Sequence, residues 1–321
     1  MGSTSRKISG IATCQMQNEA FRKKKLELQL FLHSKMPQSQ RELKREVRKR
    51  LKQKTIDVLT GEVKTRIQVF WRKTGKRGFA RAATLIHLMK DLFNIGYKRL
   101  TRMYGRIIEA SETVIRHNQK IFRHIAKQWA ETYINVGNYA EWSRAMSKLP
   151  KPRHLQGIQL YIDSFDLRLS GKNSTSTSDQ YWSYKCNSPG LKYFTLVDAN
   201  SKVRKVWGPF SPKLYDGEFL LTQVDYLHDY FKGSVLIGDS HFAKAGSCLK
   251  DPILYTKVIN PCNNEQRNYN SELYYYRSRV EHPYGVLHQK FESLSQPWND
   301  SRKEQKNTTI EAFGIINFEK N

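Results

Sequence analysis

Asp163 closes the apolar run Ile158-Gln159-Leu160-Tyr161-Ile162, and Asp239 closes Ser234-Val235-Leu236-Ile237-Gly238. Glu281 lies within Arg277-Ser278-Arg279-Val280-Glu281-His282-Pro283-Tyr284-Gly285, a segment with helical spacing. Two carboxylates at strand ends and a third on a helix offer the oxygen ligands that hard cations such as Mg²⁺ or Mn²⁺ prefer. A pair of such ions about 4 Å apart can activate water against a phosphodiester. Three carboxylates gathered without cations would repel one another and push their pKa values upward. Convergence of these three would therefore argue for metal. Each acid also has a plainer reading. Asp163 suits a strand-end turn, and Asp166 is a rival ligand three positions on, pointing to the opposite sheet face if the strand continues. Asp239-Ser240 suits a helix cap. Glu281 suits a surface ion pair with Arg277, worth a few tenths of a kcal/mol. Taken singly the plainer readings prevail; taken together, in this order and with these flanks, the metal reading does.

The elements that must position these acids follow from the periodicity. Strand-type runs occur at 158–162, 191–197, 202–208, 234–238 and 253–259. Phe219, Leu220, Val224, Leu227 and Phe231 mark a helix between the third and fourth runs, and another covers roughly 271–292. Pro283 removes a helix hydrogen bond, so a kink is expected just beyond Glu281. Three strands, a helix, a strand, a short connection, a fifth strand and a closing helix give the order of an α/β ribonuclease-H-like domain: a mixed five-stranded sheet flanked by helices, over 157–321. Pro150 and Pro152 mark a linker at 150–156.

Ahead of it lies a region of different character. The net charge is +26, and residues 1–150 carry 33 Lys/Arg against 11 Asp/Glu. A polyanion is the natural partner. No stretch approaches 18 consecutive apolar residues and no secretory leader opens the chain, which sets a membrane aside in favour of nucleic acid. Cys14, Cys186, Cys248 and Cys262 form no CxxC pair and no zinc spacing with histidine, so they read as reduced thiols. Residues 1–55 form a basic arm, partly disordered or helical. Within its run 41–54, Leu43, Val47 and Leu51 make one thin apolar stripe, and the run suits a solvated helix, a nuclear-import signal or a phosphate grip. Residues 56–149 read as an all-α region. Leu85, Leu88, Met89, Leu92 and Phe93 define a first helix of its bundle, and Tyr97–Gly105 a second that carries Arg99 and Arg102. A third is capped by Ser111 and runs through Trp129, with Val114, Phe122, Ile121 and Ile125 on one face. Arg116, Lys120, Arg123 and Lys127 recur on another face of that helix, and the whole looks helix-turn-helix-like, with those cations as DNA contacts. A plain packing unit with a solvated charged face is the alternative.

The stretch 158–317 resembles the nuclease domain of PIF/Harbinger-type DDE transposases, relatives of bacterial insertion-sequence transposases. The likeness rests on Tyr161-Ile162-Asp163-Ser164, on Leu236-Ile237-Gly238-Asp239-Ser240-His241-Phe242, and on Arg277–Gly285 followed by Lys290-Phe291. Gly208-Pro209-Phe210 leading to Tyr215-Asp216, and Ile315-Ile316-Asn317, add to it. The resemblance implies Asp163, Asp239 and Glu281 as catalytic, metal-binding residues for two Mg²⁺ or Mn²⁺ ions, with Asp216 and Arg277 as accessory positions. Three positions depart from the family pattern: Tyr215 stands where His is usual, His241 where a small residue often follows, and His288 where Lys is common. The implied activity is that of a transposase that hydrolyses double-stranded DNA at transposon terminal repeats and joins the 3′-hydroxyl to target DNA. Assembly as a homo-oligomer and help from a Myb-like accessory DNA-binding protein are implied as well. The location would be the nucleus in a eukaryote and the cytoplasm in a prokaryote. Alternatives are a domesticated, non-catalytic DNA-binding descendant and a nuclease acting on RNA.

Overall fold

The computed structural model describes residues 40–71, 79–95, 112–170, 178–246, 248–298 and 301–320. Helices come first: α1 (Gln40–Arg48), α2 (Gln53–Trp71), α3 (Phe79–Phe93), α4 (Glu112–Tyr133) and α5 (Tyr139–Met146). On α1 and just past it, Leu43, Val47 and Leu51 are buried while Arg41, Arg45, Arg48 and Lys49 face water. The apolar stripe thus docks the basic segment onto the protein and leaves its cations outside. On α3, Leu85, Leu88, Met89 and Leu92 are buried, as the spacing predicts. The expected helix at 97–105, with Arg99 and Arg102, and the cap at Ser111 lie outside the described residues.

A sheet follows, built from β1 (Ile158–Arg168), β2 (Trp182–Ser183), β3 (Ser188–Asp198), β4 (Val203–Phe210), β5 (Ser234–Ile237) and β6 (Ile253–Tyr255). Its order is β2-β3-β1-β5-β6, with β4 also paired to β3. The first long strands are antiparallel, and β1, β5 and β6 are parallel, so the sheet is mixed. Five expected runs become strands, and the two-residue β2 is added to them. β1 runs six residues past its apolar stretch because β3 pairs with it as far as Arg168. Between β4 and β5 the expected helix occurs as two pieces, α6 (Asp216–Leu221) and α7 (Val224–Phe231). After β5 come α8 (Ala243–Gly246), β6, α9 (Asn264–Lys290), α10 (Glu292–Ser295) and α11 (Arg302–Lys320).

Alternation along β1 sorts the two faces. Leu160 and Ile162 join Phe194, Phe219, Leu227 and Phe231 under α6 and α7. Tyr161, Phe165 and Leu167 join a larger core that includes α1, α3, α4, α9 and α11. The helices ahead of the sheet therefore share one apolar interior with its closing helix. α11 and α4 approach closely at Gly314, where an added Cβ would lie 2.5 Å from Ala130 Cα and 2.6 Å from Ala130 O. Glycine within a helix ordinarily costs about 0.5–1 kcal/mol relative to alanine, so only the backbone contact accounts for it. Gly314→Ala is expected to destabilise by about 2–3 kcal/mol through overpacking, read as a lowered midpoint in urea unfolding; unchanged or raised stability would contradict this packing.

Candidate active site

Asp163 sits mid-strand in β1, opposite Thr195 of β3. Its other neighbour, β5, ends at Ile237 opposite Tyr161, so the chain leaves the sheet two residues short of Asp163. Gly238 turns out tightly there: a Cβ would stand 2.9 Å from the Phe242 ring and 3.3 Å from Ile162 Cγ2. Asp239 follows. One of its oxygens accepts from His241 N at 2.8 Å, capping the short 3₁₀ turn Ser240–Phe242. The capping reading of Asp239 is thus realised, and it engages one oxygen of two.

Glu281 comes from α9, which begins where Asn263 accepts from Gln266 N at 2.8 Å. That start lies seven residues ahead of the periodic apolar pattern, because the first turns are polar and half-exposed. The helix is continuous through Pro283. Leu273, Tyr276, Val280, Pro283 and Leu287 form its buried face. Tyr284 shares its hydroxyl with Thr195 Oγ1 at 2.5 Å and donates to Asp163 O at 3.2 Å, while its ring packs on Phe165 at 4.6 Å. This fixes α9 against β1 at the level of Asp163. Glu281, one face over, remains exposed.

Arg277 joins the acids. Its Nη2 lies 3.7 Å from Asp163 Oδ2 and 3.3 Å from Glu281 Oε1. Asp239 and Arg277 line the same depression, and Asp239 raises the pKa of Asp163 electrostatically. Arg277 thus links Asp163 of β1 to Glu281 of α9, and Asp239, just past β5, lies near enough to act on Asp163. Burial is the chief reason that the Asp163 carboxyl is pushed up to about 6; Lys185, Arg277 and the Ser164 amide pull the other way, and Asp239 adds to the rise.

Asp216 lies beneath. Lys192 Nζ binds one of its oxygens at 2.9 Å and Ser164 Oγ donates to the other at 3.0 Å. Lys185 Nζ donates to Ser164 O and Oγ, both at 2.9 Å. With both oxygens occupied and a buried lysine beside it, Asp216 acts as a neutralised support under Ser164. Asp166 points to the other face, as its odd offset requires, and accepts from Ser183 Oγ at 2.5 Å.

The helical cations are distributed differently. Lys120 is exposed on α4. Arg123 pairs with Glu304 of α11 at 2.5 Å, and Lys127 with Glu131 at 2.8 Å. Arg116 lies on α4, its side chain outside the described residues, as are Arg99 and Arg102. Sequence reasoning missed a buried group elsewhere: His87 of α3 meets Glu311 of α11 at 2.9 Å and Asp91 at 3.5 Å. Among the described residues these alone, of His, Cys, Asp and Glu triplets, bring their ligand atoms within 4.8 Å of one another. Burial lowers the pKa of His87, but Glu311 and Asp91 outweigh it and hold it above its ordinary value. The three side chains bridge α3 and α11 as one buried cluster. The i,i+4 spacing of His87 and Asp91 was its one sequence signal.

Residues 162–316 match the family model of the DDE superfamily endonucleases. The matched span contains Asp163, Asp239 and Glu281. The match supports a DDE-type transposase, without reaching the Harbinger subtype. No curated protein and no solved structure matches the chain significantly. No described helix is long and apolar enough to cross a membrane.

Proposed function

We propose that this chain is a DNA transposase whose ribonuclease-H-like domain cuts double-stranded DNA with two divalent ions held by Asp163, Asp239 and Glu281. The observation that carries the reading is that Arg277 reaches both Asp163 and Glu281 while lining one depression with Asp239, whose charge acts on the buried Asp163. The donor set fits the ions: it is all oxygen, and the raised Asp163 pKa marks negative charge that the protein alone undercompensates. The three acids do not all bring ligand atoms within 4.8 Å of one another, and two ions about 4 Å apart would bridge such a set. The ions would supply an activated water and charge neutralisation at the phosphate. The protein's own residues do the positioning. Tyr284 holds the backbone at Asp163, the His241 amide orients Asp239, and Arg277 balances the acids until cations and a phosphate arrive. Exposed Arg41, Arg45, Arg48, Lys49 and Lys120 are suited to DNA phosphates outside the cleft.

A second reading, a domesticated DNA-binding descendant without catalysis, is favoured by one observation: Arg277 already satisfies two of the three acids. The test is incubation of the full chain with supercoiled plasmid in Mg²⁺ or Mn²⁺. Nicking that is abolished by chelator, and competed by duplex DNA more strongly than by duplex RNA, is expected. DNA binding without any divalent-dependent nicking would overturn the nuclease reading and leave the binder. A homo-oligomer, a Myb-like helper and action in a eukaryotic nucleus belong to the same proposal, the exposed cations of the 41–54 run fitting an import signal.

A further inference from the structure

The end of the sheet away from the acids carries a corner rich in cations. Asp198 closes β3 opposite Leu160, three residues back along β1 from Asp163, a step of about 10 Å. The turn into β4 therefore leads away from the acids. Asp198, fully buried, fixes that turn. One of its oxygens accepts from Asn200 N at 2.9 Å and Lys202 N at 3.0 Å, and the other from Arg204 Nε at 2.9 Å. Arg204 also donates to Glu141 Oε2 of α5 at 2.9 Å and to Asn135 Oδ1 at 3.1 Å. Asp198 and Glu141 are thus both taken up by one buried guanidinium.

Above Arg204 lies a recess of about 500 Å³ whose border adds four more cations: Arg144 on α5, Lys148 just past it, Lys202 in the turn and Lys320 at the end of α11. That volume falls within the about 300–1,000 Å³ typical of small-ligand sites. Lys320 donates to Ser201 O. Arg144, Lys148 and Lys202 form no ion pair with a carboxylate among the described residues. A plainly solvated basic face would leave its ammonium groups in water. Here Lys202 and Lys320 are half-buried, and burial is the first cause that lowers both pKa values, that of Lys320 to about 8. Arg204 and Lys148 push Lys202 the same way, and Lys202 does so to Lys320, against the opposing pull of Asp198. The corner holds more positive charge than its own acids answer. Such a recess suits an anion of concentrated charge. A strand of duplex DNA spreads its charge at one per about 3.4 Å of axis. Linked phosphate groups carry as much within a small-ligand volume and accept charge-assisted hydrogen bonds on many oxygens.

We propose that this recess binds a compact polyphosphate, two or more linked phosphate groups free in solution, between α5, the β3–β4 turn and the end of α11. The proposal does not rest on the nuclease reading. An anion held there would join α5 to the sheet and to its closing helix, and a ligand that binds only the folded chain stabilises it.

The probe is inorganic tripolyphosphate, titrated into the full chain in metal-free buffer at constant ionic strength and followed by calorimetry. Saturable binding, tighter than that of sulfate, and a raised melting midpoint are expected. Lys148→Gln and Lys202→Gln should each weaken binding on the order of 10-fold. Lys232→Gln, at an exposed lysine outside the recess, should leave it unchanged. Lys202 supports the turn through its backbone N–H, which glutamine keeps, so the variant should fold as the parent does. Sulfate binding as tightly as tripolyphosphate would overturn the proposal, as would parental affinity in both recess variants. Displacement of the probe by a short DNA duplex at equal phosphate concentration would overturn it too, and would make the recess a contact for the DNA backbone. Because this readout needs no cleavage, it stands or falls separately from plasmid nicking.

Discussion

Asp239→Asn is expected to lower divalent-dependent nicking of duplex DNA by on the order of 10³-fold, since losing a metal-binding charge forfeits several kcal/mol of transition-state stabilisation. Affinity for DNA should stay within about twofold, because phosphate contacts of Lys and Arg supply most of it. The substitution is well suited to separate the two. Asparagine keeps the side-chain oxygen that accepts from His241 N, so the 3₁₀ turn that carries position 239 is retained. What is lost is the charge and the second oxygen, replaced by an amide NH₂ that cannot ligate a cation. Nicking rates with saturating plasmid, alongside binding in chelator, check it. If Asp239→Asn cuts as fast as the parent, the nuclease reading fails at its centre. If neither protein cuts and both bind equally, the chain is a binder.

Arg277 makes that result more informative. It sits between Asp163 and Glu281 without an equivalent contact to Asp239 among its ion pairs. Asp239 is therefore the acid whose loss least disturbs the guanidinium. Any drop in rate then reports the carboxylate itself.

Much of this site was legible in the sequence because its acids terminate apolar runs. A strand must stop where its neighbours stop, and a polar residue just past the last apolar one stands at the sheet's end. Asp239 was visible on that ground; Asp163 followed an apolar run as well, but β1 continues past it to Arg168 and only β5 stops short of it. Arg277 was not, in its full role: spacing shows Glu281 four residues away, but Asp163 belongs to another element. The same limit hid Lys192 against Asp216 and Lys185 against Ser164. α11 escaped for a different reason. Gln305, Thr308, Thr309, Glu311, Asn317 and Glu319 are all buried on it, so its inward faces are polar and the apolar period is masked. Several of these groups answer partners elsewhere: Asn317 bonds to Val203 N and O and to Tyr133 O, and Glu319 to Lys52 N and Thr55. Such partners are a property of the assembled fold, and no window along the chain contains them.

Asp163→Asn should have two opposed effects, a rate loss like that of Asp239→Asn and a gain in metal-free stability. The sign follows from the carboxyl's raised pKa, about 6 in the folded chain against 3.8 in its absence. Over that interval the folded state holds the proton more tightly than the unfolded state, so stability falls as pH rises from about 4 to about 6. Above it, the ionised Asp163 costs on the order of 2–3 kcal/mol, at 1.36 kcal/mol for each pKa unit. Burial is the main cause, and an amide suffers no such charging penalty. Asparagine also keeps an oxygen for the Ser164 amide, which donates to Asp163 Oδ1 at 2.7 Å. Thermal unfolding in chelator should then show Asp163→Asn melting above the parent at pH 7.5, with the gap narrowing as pH falls and closing toward about pH 4, where folded and unfolded parent both hold the proton. Millimolar Mg²⁺ should raise the parent's midpoint at pH 7.5 and move the variant's much less. A variant less stable than the parent at pH 7.5 would mean that Arg277 and Lys185 already compensate the buried charge, and that no cation is needed beside Asp163.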